Sequence, residues 1–128
     1  MAAEKDRLAR CIRAGMRDES GNSIDSIINE LKNLGPDEEA RRAALRAKAL
    51  SDPIRVAIVR ALGNEGKLCV CEIMHVISKS QPSASHHLRI LKEAGMVEET
   101  RKGKWVFYAL SDDSILEVIN GLQRLGIK

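Results

Sequence analysis

The spacing of apolar side chains switches late in this chain from helical to alternating, and that switch constrains the fold more than any other feature. Almost every apolar cluster from residue 5 to residue 95 follows helical spacing, whereas from Met96 to Leu110 the period becomes two. At 128 residues the chain has room for one ordinary core and little for a second. The expectation is a mainly α protein with a small β-hairpin near its C-terminal end.

Punctuation residues divide the helical part. Leu8, Ile12 and Met16 make a first stripe; Gly15, Gly21 and the Asn22-Ser23 pair supply a break and an N-cap. Ile24, Ile27, Ile28, Leu31 and Leu34 form the next stripe, which stops at Gly35. Pro36 with Asp37, Glu38 and Glu39 opens a third helix that runs to about Leu50. Ser51-Asp52-Pro53 starts a fourth, with Ile54, Ile58, Val59 and Leu62 on one face until Gly63. Lys67 to Val70 reads as a brief strand, Cys71 to Ser78 as a short helix, and Pro82 to Ala94 as a helix closed by Gly95.

In the period-two stretch, RKGK joins the runs VEET and WVFYAL as a hairpin. Trp105, Phe107 and Tyr108 all lie in its second strand, where their bulk is expected to anchor the hairpin on the helices. Ser111 and Asp112 then cap a last helix carrying Ile115, Val118, Ile119, Leu122 and Leu125, a stripe that needs a partner surface. The division expected is an N-terminal helical extension over residues 1–36 and a main domain over 37–128.

Net charge is only +3, so the total does not announce a polyanionic partner, but its distribution is uneven. Arg41, Arg42, Arg46, Lys48, Arg55 and Arg60 make the centre basic after an acidic stretch from Asp18 to Glu39. Charges interrupt every apolar run, so neither a membrane helix nor a secretory leader is read, and a cytoplasmic location is expected. The three cysteines are an odd number, and in a reducing compartment they favour ligation or redox chemistry over a structural disulfide.

Helix, turn, helix and a hairpin with a basic tip is the order of a winged helix-turn-helix. The stretch SQPSASHHLRILKEAGMVEETRKGKWVFYAL resembles the recognition helix and wing of ArsR/SmtB-type repressors, and KALSDPIRVAIVRAL resembles the helix pair before them. The resemblance covers roughly residues 44 to 125 and implies a dimeric repressor on an imperfectly palindromic operator of double-stranded DNA. Gln81, Ser83, Ser85 and His86 fall in the first turns of the recognition helix, where short polar side chains can reach base edges. By resemblance His87 is the common histidine of the family and is counted with the expected DNA contacts, while His86 stands where relatives often carry arginine. Arg89, Arg101, Lys102 and Lys104 are the expected phosphate contacts, to be weighed against a merely solvated basic face. The stripe Ile115, Val118, Ile119, Leu122 and Leu125 would supply a two-fold interface.

Cys69 and Cys71 in LCVCEIM resemble the metal-binding box of ArsR-type sensors. Thiols at i and i+2 point alike on a strand and nearly oppositely on a helix, so only an irregular junction lets both reach one ion. Cys11 is the remaining thiol and is read as a third ligand, since some relatives close the site with N-terminal cysteines. Three sulfurs suit As(III), Sb(III), Cd(II), Pb(II) or Bi(III) as effector, with no organic cofactor. His75 shares a helical face with Cys71, but a structural histidine is the plainer reading. Relatives with a second site carry paired histidines and acids on the last helix; Asp112, Asp113 and Glu117 are there without a histidine, so no second site is expected.

Two rival readings use the same thiols: a redox-responsive regulator of this fold, and a metal-buffering protein. Buffering does not require the Gln-Pro-Ser-Ala-Ser helix or a basic wing. An enzyme is not expected, because no nucleophile, base and orienting group stand at recognisable spacing, and no catalytic residue is assigned.

Overall fold

A computed structural model describes residues 2–11 and 23–126. Ile12, Gly15, Met16, Gly21 and Asn22, read above as part of the first helix and the break after it, lie outside the described residues. The chain divides into two compact units, Met1–Glu39 and Ala40–Lys128. The first holds α1 (Ala2–Cys11) and α2 (Ile24–Asn33), whose N-cap Ser23 accepts the Ser26 N–H on its hydroxyl at 3.1 Å. Leu34 is the C-cap of α2 rather than part of its stripe, and it is exposed.

Helix α3 (Glu38–Ala49) leads into the second unit, and Asp52 caps α4 (Pro53–Glu65), accepting from the Ile54 N–H at 2.7 Å with proline at the first turn. Helix α4 does not stop at Gly63 but continues to a cap at Gly66. The reason is tertiary: a Cβ at Gly63 would overlap the Leu116 side chain, so this glycine is a crossing point for the last helix instead of a terminator. Strand β1 (Leu68–Cys69) runs directly into α5 (Val70–Ile77), and α6 (Gln81–Glu93) follows a three-residue turn. A Schellman motif closes α6: Gly95, with φ 74°, donates to Lys92 O at 2.9 Å and Met96 donates to Leu91 O at 2.9 Å.

Strands β2 (Val97–Lys102) and β3 (Trp105–Leu110) pair across Gly103 and Lys104. Only Gly103 of this turn has positive φ, 61°, which marks a two-residue type II′ connection. Strand β1 adds to the other edge of β3, pairing Leu68 with Tyr108 and Cys69 with Phe107, so the sheet order is β1-β3-β2. Helix α7 (Ser114–Arg124) completes the chain, and its first turn is capped by Asp112, which accepts the Ser114 N–H at 2.9 Å. No helix among the described residues is long and apolar enough to cross a membrane.

The core of the second unit gathers Ile58, Val59 and Leu62 of α4, Ile73 of α5, Leu88 and Leu91 of α6, Met96, Val97 and Ile119 of α7. Each such side chain contributes about 1.5–3 kcal/mol when fully buried. The aromatic residues of β3 do not all anchor the hairpin as expected. Tyr108 packs on this core and Phe107 is half-buried beneath the Lys67 ammonium, but Trp105 is 52% exposed. Trp105 pairs with Lys102 at the turn, at the end of the hairpin.

Candidate nucleic-acid interface and thiol site

Helices α5 and α6 and the β2–β3 hairpin place the predicted DNA-facing residues. The turn between the helices passes through Ser78 at φ 52°, a left-handed conformation uncommon for serine, and Ser80 then caps α6 by accepting the Ser83 N–H at 3.4 Å. With α6 fixed in this way, Gln81, Ser85, His86 and Arg89 are exposed and Ser83 is half-buried, while Ala84, Leu88 and Leu91 point inward. Arg89 and the Nδ1 atom of His86 lie 3.3 Å apart, so two of the predicted contact residues form one unit on the outer face.

His87 is placed differently from the rest of that group: it is 8% exposed, on the inward side of α6. An Arg55 guanidinium N–H approaches His87 Nδ1 at 3.3 Å. Burial, the largest influence, and the nearby Arg55 charge hold the imidazole below its ordinary value, against the opposing pull of Asp52. The neutral ring therefore accepts from Arg55 at Nδ1. Arg55 also donates to Ala49 O at 2.5 Å and to Lys48 O at 3.4 Å and stands 3.8 Å from Asp52. One side chain thus ties the end of α3, the start of α4 and the recognition helix together.

On the wing, Arg101, Lys102 and Lys104 are exposed as a cationic group around the turn. Glu99 on β2 joins this wing to α6, meeting Lys92 Nζ at 2.6 Å through one oxygen and Arg101 at 3.5 Å through the other. The hydrogen bond from Lys92 pulls the Glu99 carboxyl below its usual value, and the same bond raises Lys92. Spacing gave no sign of this clip, because it joins a helix to a strand. Arg55, by contrast, stands three residues after the Asp52 cap, and that ion-pair spacing was legible.

Cys69 and Cys71 occupy the strand-to-helix junction. Cys69 ends β1 and is the N-cap of α5, and its N–H donates to Glu72 Oε1 at 2.9 Å. That N–H, followed by the Cys69 side chain, holds the Glu72 carboxyl below its ordinary value. Both cysteines are free thiols, Cys69 half-buried and Cys71 exposed. They share a cavity of about 270 Å³ with Val70, Met74, Gln81, Lys104, Trp105 and Val106. A larger cleft of about 650 Å³ on the other side of α5 brings Cys71, Glu72 and His75 beside Asn64 and Glu65. Among the described residues no three of His, Cys, Asp and Glu gather closely enough to hold a metal. Cys11 is an exposed thiol on α1, in the N-terminal unit. The donor set at the junction is therefore a thiol pair, suited to a soft ion that takes its remaining donors from elsewhere.

A helix-turn-helix whose second helix carries an exposed polar face, followed by a basic hairpin, has the architecture of a winged helix-turn-helix. Solved structures similar to this chain share that architecture. NolR from Sinorhizobium fredii matches with TM-score 0.64 and 28% identity over 73% of this chain and 94% of its own. The homodimeric winged helix-turn-helix DNA-binding domain from Mycobacterium bovis, described as a possible ArsR-family transcriptional regulator, matches with TM-score 0.60 and 26% identity, over 70% of this chain and 84% of its own.

The chain belongs to the arsR family of bacterial regulatory proteins, whose model matches residues 52–99. An uncharacterized HTH-type transcriptional regulator of Methanocaldococcus jannaschii is 42% identical over 69% of this chain and 99% of its own length. The cadmium resistance transcriptional regulatory protein CadC homolog of Staphylococcus aureus is 44% identical over 56% of this chain, and the arsenical resistance operon repressor of Escherichia coli is 44% identical over 50%. The chain spans only 60% and 55% of the lengths of these last two relatives.

Proposed function

We propose that this regulator is a cytoplasmic homodimeric repressor, released from its operator when a soft ion binds its cysteine thiolates. The observation that carries the reading is the position of Cys69 and Cys71. They share one cavity at the start of α5, the first helix of the helix-turn-helix, and Gln81 of the recognition helix lines the same cavity. An ion that draws the two sulfurs together there acts directly on the helix from which α6 is hung. Ion and DNA would then weaken each other's binding through one reciprocal coupling energy.

In this reading Gln81, Ser83, Ser85 and His86 read base edges, while Arg89, Arg101, Lys102 and Lys104 take phosphate. His87 positions α6 through Arg55 from within the fold. The effector is of the As(III), Sb(III), Cd(II), Pb(II) or Bi(III) class, in keeping with the arsenic and cadmium named for two relatives. Cys11 is proposed as the third sulfur. Exposed Val118 and Leu122 on α7, with its C-cap Leu125, are proposed as the seam of the two-fold dimer, in keeping with the homodimeric Mycobacterium bovis domain. Two recognition helices would then lie one DNA turn apart on an imperfect palindrome.

The test is binding of reduced protein to its own promoter, titrated with arsenite, antimonite, cadmium, lead, bismuth and zinc, beside a Cys69→Ser, Cys71→Ser variant. Release of the wild type alone, by one class of ion, is the expected result. Tight binding indifferent to every ion would overturn metal sensing and leave thiol oxidation as the signal to test next.

A further inference from the structure

The cavity that the two thiols line is lined by residues of the wing as well. Cys69 pairs with Phe107 across β1 and β3, so these two side chains leave the sheet on the same face. Trp105 is two residues from Phe107 on β3 and shares that face, which makes it the diagonal neighbour of Cys69 at a Cα separation of roughly 7–8 Å, within reach of an aromatic side chain. The cavity lining agrees in bringing Cys69, Cys71 and Met74 together with Lys104, Trp105 and Val106.

Trp105 is otherwise unexplained. It stands in the strand expected to anchor the hairpin, yet it is 52% exposed and lies outside the core. A half-exposed indole that lines one cavity with two free thiols has room to settle onto an ion held there. Lys104, the residue before it, belongs to the cationic group of the wing turn. Any displacement of the indole is therefore handed one residue along the chain to a phosphate-binding position.

We propose that Trp105 is the lid of the thiol site and couples its occupancy to the wing, so that a soft ion held by Cys69 and Cys71 re-aims Lys104 as well as α5. The inference rests on the thiolate reading above and adds to it a second route to DNA release, through the hairpin. It also gives the site an apolar cover of Trp105, Val106, Val70 and Met74, which disfavours strongly hydrated hard cations and leaves thiophilic ones.

Trp105 is the sole tryptophan of the chain, so its emission reports this lid alone. Reduced full-length protein is titrated with cadmium while ultraviolet sulfur-to-metal charge-transfer absorption and tryptophan emission are followed together. Both should change and saturate at the same cadmium stoichiometry, and both changes should vanish in the Cys69→Ser, Cys71→Ser variant. Saturating absorption with unaltered emission would overturn the lid and leave the thiolate site standing. Absence of the absorption band would sink the thiolate site, and the lid with it.

A second measurement uses Trp105→Ala, a change at a half-exposed position outside the core. Its cadmium-free operator affinity should stay within about threefold of wild type, while the factor by which cadmium weakens DNA binding should shrink by about tenfold. A variant that keeps the full wild-type factor would refute the coupling role.

Discussion

Helices α6 and α7 are built alike on their inner sides and oppositely on their outer sides. Toward the core, α6 turns Leu88 and Leu91 and α7 turns Ile119 with Ile115 and Leu116 beside it. Away from the core, α6 shows Gln81, Ser85, His86 and Arg89, whereas α7 shows Val118 and Leu122 and is followed by its C-cap Leu125, residues that are 54%, 56% and 60% exposed. The same amphipathic construction thus presents a hydrogen-bonding, cationic face in one helix and an apolar one in the other. Polar groups that exchange water for base edges and phosphate suit the first; an apolar stripe left in water suits burial against a second protein surface.

The largest effect expected from breaking this comparison is on the shared inner side. Leu91→Ala removes a fully buried side chain and should lower unfolding free energy in urea by about 2–5 kcal/mol, whereas Leu122→Ala, measured at concentrations low enough for the protein to be monomeric, should change it by less than about 0.5 kcal/mol. Similar losses for the two would erase the distinction between faces.

An intermediate effect is expected on the outer side of α7. Leu122→Glu should fold, sediment as a monomer at concentrations where wild type is a dimer, and lose at least about tenfold in operator affinity, or about 1.4 kcal/mol. A variant that remains dimeric and binds normally would remove α7 from the seam.

The smallest effect concerns His87, the one predicted DNA contact of α6 that faces inward. Its value is lowered by burial, so the unfolded chain takes up a proton before the folded one as pH falls. Stability is therefore intact above the ordinary imidazole value of 6.5 and declines as pH drops below it toward the lowered folded value. Thermal unfolding across that window should show a shallower decline in His87→Gln than in wild type. Equal slopes would mean that His87 is not held neutral by its burial. The carboxylates of Asp52, Glu72 and Asp112 are themselves held low, and their contributions are lost only at more acidic pH.

Much of this was legible because local chemistry writes itself into short spacings. The caps Ser23 and Asp52, the end of α6 at Gly95 and the hairpin centred on Gly103 are all set within a few residues. The thiol pair was legible as a pair, and its irregular junction was foreseen because i and i+2 cannot converge on a regular helix. The pairing of β1 with β3 was not, since a two-residue strand carries no period of its own. Nor was the sorting of one apolar stripe on α7 into Ile115 and Ile119 toward the core and Val118, Leu122 and Leu125 toward water. Neighbours one turn apart look alike in a period, and what packs against them divides them.

Periodicity, caps and turns therefore specify the order of four helices, a brief strand, two more helices, a hairpin and a last helix, and the residue types on the outer face of α6, because each depends on contacts within about one turn of chain. Three assignments depend on contacts between elements distant in sequence. Gly63 became a crossing point because Leu116 arrives there from α7. His87 was turned inward onto Arg55, 32 residues away. Trp105 came to line the cavity of Cys69 and Cys71 because β1 docks against β3. Such contacts form only when loops close and surfaces meet, and no local spacing encodes which surfaces those will be.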